Sequence, residues 1–512
     1  MSKFEEFYAL IDKGYKFEGD SVLLGTSMLD GGAIEENQVR APLKTFNRHG
    51  LIAGATGTGK TKTLQNLAER LSENGVPVLL MDIKGDLSGL AKPGTDHRKI
   101  DERHQKIGTA WKPQSYPTEL LTISEQEGVR LRATISEFGP VLLSKILGLN
   151  ETQGGIVAIV FKFCDDHRLP LLDIKDFRKV LQYISDEGKA QIERDYGYVS
   201  ASSVGAIMRR LLEIEEQGAD RFFGEKSFDI DDLRRVDEEG KGYVNILRLD
   251  DIQSKPKLFS TFMLCLLAEV YEQLPEQGDT GRPELVIFID EAHLIFDQAS
   301  KPLLDQIETM VKLIRSKGVG LFFCTQNPTD VPDAVLSQLG MKIQHALRAF
   351  TAKDRKAIKL TAENYPITDF YKTDELLTQL GIGEAIITVL NEKGIPTPLV
   401  HTLLTAPSSR MDVITEEEKK EILNSSGLVE KYNEEIDRES AYEMLSNKIE
   451  ELDDEADEEK KKERKKKVKR RPEKSTFEVI ANHPITRMVV RELVRGLLGV
   501  LGVPTSRRRR RR

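Results

Sequence analysis

A glycine-rich loop that ends in a lysine and a threonine is the segment of this sequence best suited to chemistry. Residues 54–61 fit the pattern G-x-x-x-x-G-K-[ST], in which backbone N–H groups and the positive end of a helix surround a phosphate. In that pattern Lys60 reaches the β- and γ-phosphates, and Thr61 is a ligand of Mg²⁺. The sequence therefore predicts a site for ATP and Mg²⁺ formed by Gly54, Ala55, Thr56, Gly57, Thr58, Gly59, Lys60 and Thr61.

Two adjacent carboxylates at the end of an apolar segment supply the second part of a hydrolytic site. Residues 285–289 are all apolar, and Asp290 and Glu291 follow them. Asp290 is placed to hold Mg²⁺ through water, and Glu291 to act as the general base that polarises the attacking water. Residues 290–293 also spell the box of a large helicase class, but they lie far from the loop in sequence. We expect His293 to begin a helix rather than to take part in catalysis.

A glutamine after a further apolar segment is a candidate sensor of the γ-phosphate. Residues 319–324 predict a strand, and Gln326 comes shortly after its end. A polar side chain at the tip of a strand beside the strand of Asp290 can contact the γ-phosphate and respond to its loss. The alternative is that Gln326 caps a turn before Pro328.

The elements around these residues predict a doubly wound α/β domain of the P-loop class. Residues 49–53, 63–74 and 76–82 read as a strand, a helix and a second strand, which is the context that a phosphate loop requires. Asp82 and Asp86 follow the second strand, where the sequence does not separate a catalytic role from a turn-forming one. Further apolar segments recur at intervals that suit a mostly parallel sheet covered on both faces, at 243–249, 285–289, 319–324, 342–347 and 385–390.

Composition and periodicity predict six segments along the 512 residues. They comprise a leader packed on the core, two parts of one ATPase domain around a helical insertion, a charged helical or linker segment, and a basic amphipathic helix with an arginine tail. The predicted ranges are 1–45, 46–138, 139–236, 237–410, 411–475 and 476–512, with the insertion at 139–236.

Charge and composition limit the class of protein. An apolar content of 39% with 31% charged residues is typical of a soluble globular body, and no apolar run is long enough to cross a membrane. The three cysteines are scattered, which favours reduced thiols in a cytoplasmic protein. Residues 460–512 hold twenty Lys and Arg against four Asp and Glu, so the rest of the chain must be strongly acidic. Overall charge therefore does not predict that the globular body binds nucleic acid.

The basic end of the chain has three interpretations that the sequence leaves open. The apolar residues between 485 and 501 could line one face of a helix, and six arginines close the chain. The segment could contact the DNA backbone, bind an anionic membrane as a basic amphipathic helix, or dock another subunit beside a solubilising tail.

The motif set resembles the HerA-like C-terminal ATPases of the FtsK/HerA group of RecA-like motor ATPases. The resemblance spans residues 40 to about 410 and extends loosely to the basic end. It implies a RecA-like fold and a motor that acts on double-stranded DNA. The matching segments are Pro42-Leu43-Lys44, His49-Gly50 and the residues 54–61, 82–86, 290–293, 315–320, 325–328 and 346–350.

In that family an arginine before the strand that leads to the glutamine motif acts across a subunit interface. Arg315 occupies the matching position, where it would neutralise charge on the γ-phosphate held by a neighbour. The alternative is an exposed arginine at a helix end, favoured by the helix dipole. Arg348 is a second candidate. A residue that acts in trans implies a homo-oligomer, for which the resemblance suggests a ring of six.

These observations predict an Mg²⁺-dependent ATPase that forms a ring and couples hydrolysis to the binding or translocation of double-stranded DNA. Hydrolysis follows from the residues, and the coupling to DNA follows from the resemblance. The alternative is an ATPase whose nucleotide gates assembly or the docking of an unidentified protein partner. A small-molecule kinase fits less well, because the glutamine motif and Arg315 both suit a ring.

Overall fold

The structure, a computed structural model, describes residues 2–278, 280–297, 301–434, 436 and 438–451, without the side chains of 302 and 303. The predicted basic helix and arginine tail at 476–512 lie outside the described residues, as does the whole chain from 452 onward. The chain divides into two units, Met1–Leu445 and Ser446–Arg512. The fold described below belongs to the first unit.

In the part of the chain that the structure describes, twelve strands form one sheet, in the order β2-β1-β12-β11-β10-β3-β9-β8-β4-β7-β5-β6. From β10 to β6 all neighbouring strands are parallel. From β10 to β2 they are antiparallel. The strands are β1 Ser21–Leu29, β2 Gly32–Pro42, β3 Gly50–Ala53, β4 Val78–Asp82, β5 Thr118–Thr122, β6 Val129–Arg130, β7 Val244–Arg248, β8 Leu285–Ile289, β9 Val319–Thr325, β10 Met341–Gln344, β11 Glu384–Thr388 and β12 Val400–Leu404.

Helices cover the sheet and account for most of the chain between β6 and β7. Among the described residues none of them has the length and apolar character needed to cross a bilayer. They are α1 Lys3–Tyr15, α2 Lys60–Glu73, α3 Arg98–Ile107, α4 Ile135–Ile146, α5 Glu151–His167, α6 Ile174–Ser185, α7 Lys189–Asp195, α8 Ala201–Glu215, α9 Ala219–Phe222, α10 Pro256–Gln273, α11 His293–Phe296, α12 Lys301–Leu313, α13 Asp333–Leu336, α14 Ala352–Glu363, α15 Thr373–Gln379, α16 Glu416–Ser425 and α17 Gly427–Asn433.

The central strands β3, β9, β8 and β4 are buried along their whole length. Strands covered on both faces read as continuous apolar runs, which is why the sequence locates them well. The predicted fold class, an α/β P-loop domain with a mostly parallel sheet, is confirmed by this topology and by the structural comparisons below. The predicted strand at 342–347 ends earlier, at Gln344, because the chain leaves the sheet to support the phosphate loop.

The segment predicted as a parallel strand at 385–390 is antiparallel in the structure. It forms β11, which runs antiparallel to both β10 and β12. The connection from β10 passes through α14 and α15 and re-enters the sheet beside the carboxyl end of β10. The next strand, β11, must therefore run in the opposite direction to β10. An apolar run carries no signal of its direction, which is why the sequence missed this reversal.

The first 45 residues belong to the antiparallel side of the sheet. β1 pairs with β12 and β2, and α1 packs beside them. The hydroxyl of Tyr15 donates to the carbonyls of Ile387 at 3.0 Å and Pro398 at 2.7 Å. Phe7 packs edge-on against Phe370, with ring centroids 5.2 Å apart. These contacts tie α1 to residues that lie far away in the sequence.

Candidate nucleotide site

The glycine-rich loop joins β3 to α2 and is fixed by both strands that flank β3. The N–H of Gly54 donates to the carbonyl of Thr325 at the end of β9, at 3.2 Å. The N–H of Ala55 donates to the carbonyl of Ala346, just after β10, at 2.8 Å. The loop is therefore positioned before any ligand binds.

The loop backbone has the conformation of a phosphate cradle. Gly54, Gly57 and Gly59 all have positive φ, which residues with a Cβ rarely adopt. A Cβ on Gly54 would lie 2.5 Å from the Cβ of His345, whereas one on Gly57 would meet nothing within 4 Å. The loop therefore packs tightly on one side and opens on the other, as a site for an anion requires.

Lys60 and Thr61 open α2 at this loop, where the first N–H groups of a helix have no acceptor within it. Lys60 is largely buried, and its Nζ lies 3.4 Å from the carbonyl of Ala55. Burial lowers the pKa of Lys60, and the charge of Lys84 lowers it further. An entering phosphate would relieve both effects, because it supplies the negative charge that the lysine lacks.

Asp290 and Glu291 follow β8 and are both buried. The next residue, Ala292, donates its N–H to the carbonyl of Cys324 in β9 at 2.9 Å, which fixes the carboxylates beside that strand. Burial raises the pKa of Asp290 to about 6. Its Oδ2 is buried and accepts no hydrogen bond from the described residues. An orphaned carboxylate oxygen beside a phosphate cradle fits a Mg²⁺ site, as the sequence predicts for Asp290.

Glu291 has a positive φ of 47°, which is uncommon for a residue with a side chain and marks a strained backbone just after β8. It forms an ion pair with Lys84, and its Oε2 lies 3.3 Å from Nδ1 of His293. His293 begins α11, in the structural position expected of it, and also touches the candidate base.

Asp82 has a turn-forming role that the structure makes explicit. Its Oδ1 accepts the N–H groups of Gly85 at 2.8 Å and Asp86 at 3.3 Å, and its Oδ2 accepts that of Leu87 at 3.0 Å. Burial raises the pKa of Asp82 to about 6. This carboxylate is committed to the turn after β4.

Gln326 and Arg348 lie at the same edge of the sheet as the loop. Gln326 follows β9, which pairs with both β3 and β8, and its side chain is exposed. The turn beyond it is held by Asp330, whose Oδ2 accepts the hydroxyl of Thr325 at 2.6 Å. Arg348 is exposed, two residues beyond the carbonyl that holds Ala55. The structure therefore brings the loop, both carboxylates, Gln326 and Arg348 to one edge.

Comparison with known proteins identifies the family. The family model described as Helicase HerA-like C-terminal matches residues 29–509. The chain belongs to this family. Membership confirms the resemblance found in the sequence and the predicted class of protein, that of the HerA-like P-loop ATPases.

Two archaeal relatives of this HerA-like protein show how far the similarity extends. The DNA double-strand break repair helicase HerA of Saccharolobus solfataricus is 23% identical over 362 residues, or 70% of this chain and 65% of that protein. The DNA import protein CedB of Sulfolobus acidocaldarius is 23% identical over 392 residues, or 75% of this chain and 56% of that protein. The chain therefore spans less than two thirds of the length of these relatives.

Solved structures share the fold at low sequence identity. The bacterial conjugative coupling protein TrwBdeltaN70 in complex with sulphate has a TM-score of 0.51 and 14% identity, over 79% of this chain and 94% of that chain. Plasmid coupling protein TrwB in complex with ADP and Mg²⁺ has a TM-score of 0.50 and 15% identity, over 78% of this chain and 100% of that chain.

Arg315 of the HerA-like chain lies at the opposite edge of the sheet from the phosphate loop. It precedes β9, and Thr325 at the other end of β9 pairs with Ala53 beside the loop. The strand between them spans roughly 20 Å. The exposed Arg315 lines two adjoining clefts together with Arg48 and Lys312. The structure therefore does not bring Arg315 to the site of its own chain.

Three residues beside the loop escaped the prediction of site residues. Lys84 lies two residues beyond β4, at the edge of the sheet that holds the phosphate loop. This position after a predicted strand is the sequence feature that could have identified Lys84 as a site residue. His345 contacts Thr63 of α2, with 2.9 Å between Nε2 and Oγ1, and burial lowers the pKa of His345 to about 4. Arg103 donates hydrogen bonds to the carbonyls of Ile382 and Gly383 in the turn before β11. Nothing in the sequence near His345 or Arg103 points to the loop.

Proposed function

We propose that this protein hydrolyses ATP in an Mg²⁺-dependent reaction as a ring-forming motor of the HerA and FtsK type. The convergence of the phosphate loop, Asp290 and Glu291 at one edge of the sheet carries this proposal. A phosphate cradle alone would support binding. The buried second carboxylate adds a base that supports hydrolysis.

Each residue of the site has one task in the proposed reaction. Lys60 and the loop N–H groups hold the phosphates. Thr61 and Asp290 would hold Mg²⁺, which would neutralise negative charge on the phosphates. Glu291 takes a proton from water as the water oxygen bonds to the γ-phosphorus and the bond to the bridging β–γ oxygen breaks. Gln326, at the tip of β9, is proposed to contact the γ-phosphate and to report its loss.

The proposed ring assigns different tasks to the two arginines. Arg315 lies too far from its own loop to reach a phosphate there, which supports action on the nucleotide of a neighbouring copy. Lys44 lines one of these two clefts and would strengthen its attraction for an anion. Arg348 lies at the loop edge, which supports a role at the nucleotide of its own chain. A hexamer is our proposal for the closed form.

Double-stranded DNA is the proposed substrate of the motor. Support comes from relatives whose names denote a DNA repair helicase and a DNA import protein. The second candidate is an ATPase whose nucleotide gates assembly or docks a protein partner, and the acidic charge of residues 1–459 favours it. The helices between 139 and 236 would offer the surface for such a partner. We place the protein in the cytoplasm, in keeping with its three free, buried cysteines.

Steady-state ATP hydrolysis tests the proposal and separates the two candidates. The full chain is assayed with and without long duplex DNA across a salt series, and Glu291→Gln serves as the blank. We expect Glu291→Gln still to bind nucleotide and to lose at least about a hundredfold in turnover, because the base is removed and the cradle is not.

The two outcomes point to different functions. Strong stimulation by duplex DNA that weakens as salt rises indicates a DNA motor, since contacts to the phosphate backbone release counterions. Turnover that ignores DNA indicates the gated assembly. Wild-type turnover by Glu291→Gln would remove the assignment of the base.

A further inference from the structure

Lys84 reaches the nucleotide site from a turn whose backbone is fixed. Three N–H groups of this turn bind the carboxylate of Asp82, and Gly85 takes a positive φ of 73° within it. The side chain of Gln253 donates to the carbonyl of Ile83 at 2.8 Å. The long side chain of Lys84 is thus the movable part of an otherwise anchored segment.

The ammonium of Lys84 covers both carboxylates of the site. Its Nζ forms an ion pair with Glu291 and lies 3.8 Å from Oδ2 of Asp290. The side chain of Lys84 is 38% exposed, whereas those of Asp290 and Glu291 are 4% and 7% exposed. The cation is therefore the accessible member of the cluster, and the carboxylates beneath it are shielded.

We propose that Lys84 holds Glu291 in an ion pair until ATP enters and then transfers to the γ-phosphate, which frees the Glu291 carboxylate to accept the proton of water. While the ammonium of Lys84 lies against Oε1 of Glu291, that oxygen is not available to a water molecule. A triphosphate brings more negative charge to the site than Glu291 does, and it competes for the same cation.

This inference rests on the proposed hydrolysis of ATP and adds a control to it. ADP has no γ-phosphate to draw Lys84 away, so Glu291 stays paired in the ADP state. Glu291 is then free to act as a base only when the bound nucleotide has a γ-phosphate to be hydrolysed. The ion pair therefore distinguishes the two nucleotides before any chemistry takes place.

Equilibrium binding of ATPγS and ADP in the presence of Mg²⁺ tests the inference without relying on turnover. In wild-type protein, ATPγS must break the pair between Lys84 and Glu291. Glu291→Gln weakens that pair, so we expect ATPγS to bind severalfold more tightly and ADP to bind as before. In the Lys84→Met background, Glu291→Gln should no longer change the affinity for ATPγS.

Lys84→Met alone should weaken ATPγS binding by about tenfold and leave ADP binding unchanged, because one charge-assisted contact to the terminal phosphate is lost. Lys84→Arg keeps the charge and should restore most of this preference. Lys92→Ala is the matched control, since Lys92 pairs with Glu421 rather than with the site. Thermal melting of each variant checks that it is folded.

Two results would overturn the inference. Equal effects of Lys84→Met on ATPγS and ADP would show a general electrostatic role, and an effect of Glu291→Gln that is the same with and without Lys84 would show that the two residues are not coupled. If wild-type protein binds neither nucleotide, the proposed function itself fails, and this inference fails with it.

Discussion

At the scale of single residues, the nucleotide site is a balance between two lysines and two buried carboxylates. Lys60 and Lys84 approach from different loops, and the charge of each affects the other. Asp290 and Glu291 lie between them without enough hydrogen bonds to satisfy their oxygens. Such a cluster is expensive to bury, so its persistence favours a binding site over a structural role.

A histidine at the far edge of the sheet provides a test of pH dependence. His49 is buried, with Nε2 2.8 Å from the carbonyl of Val311 and Nδ1 accepting the N–H of Leu321 at 3.0 Å. These two contacts use the neutral ring fully. Burial, with a smaller contribution from the charge of Arg315, lowers the pKa of His49 to about 4.

We predict that His49 makes the folded protein less stable as the pH falls from about 6.5 toward 4. The pKa of His49 is about 4 when folded and about 6.5 when unfolded, so in this range only the unfolded chain binds the proton. This residue should lower the free energy of unfolding by about 2 kcal/mol between pH 8 and pH 5. The measurement is urea unfolding across that range.

His49→Gln should be less stable than wild type at pH 8 but should show a smaller fall toward pH 5. His97→Asn is the control, because His97 is exposed and its replacement can still cap α3. Parallel curves for wild type and His49→Gln would contradict the prediction.

At the scale of elements, β9 links the two halves of the site. Successive carbonyls at its end accept N–H groups from opposite neighbours, Cys324 from Ala292 after β8 and Thr325 from Gly54 after β3. A shift of this strand end would therefore reach the carboxylates and the phosphate loop together. Gln326, the candidate sensor, is the residue immediately after β9. A contact between Gln326 and the γ-phosphate could therefore move this end of the strand.

The sequence predicted the parts of the site that depend on local patterns. Residues 54–61 and 285–291 combine a motif with a buried strand, and the structure places both at one edge. Lys84 and His345 act through contacts between segments distant in sequence, such as the bond from His345 to Thr63. Strand position was predictable from apolar runs, whereas the direction of β11 depends on where its connection returns.

A second element supports the phosphate loop from behind. Arg103 on α3 donates to the carbonyls of Ile382, Gly383 and Leu404 at 2.9 to 3.1 Å. Gly383, with a positive φ of 73°, donates its N–H to the carbonyl of Thr58 at 3.1 Å. The helix therefore braces the turn before β11, and that turn braces the loop.

We predict that Arg103→Ala weakens ATPγS binding by about fivefold, or about 1 kcal/mol, because the turn that holds Thr58 loosens. Isothermal titration measures the affinity, and thermal melting should show a loss of stability from the missing charge-assisted hydrogen bonds. Arg98→Ala is the control on the same helix, since the Arg98 side chain is 90% exposed. Equal affinities for Arg103→Ala and Arg98→Ala would contradict this account.

At the scale of the whole molecule, the phosphate loop and Arg315 mark opposite edges of one sheet. We predict that Arg315→Ala and Lys60→Ala are each inactive and that an equal mixture recovers about one quarter of wild-type turnover. Mixed rings place an intact loop beside an intact arginine at one interface in about four, if the sites act independently. The measurement is phosphate release after the subunits have exchanged.

A mixture of Lys60→Ala with Glu291→Gln is the matched control. Both changes damage the same site of a chain, so no arrangement of these subunits restores a complete one. Recovery in the control, or none in the test mixture, would remove the support for action in trans.

Because the phosphate loop and Arg315 lie at opposite edges of the sheet, the number of complete sites in an assembly depends on whether the assembly is closed. Copies that join edge to edge meet head to tail, so an open row always leaves one terminal nucleotide without an arginine from a neighbour. In the proposed ring, closure alone gives every copy a complete site. Turnover per chain should therefore rise with protein concentration and reach a plateau when rings close, so dilution alone would slow this enzyme without any inhibitor.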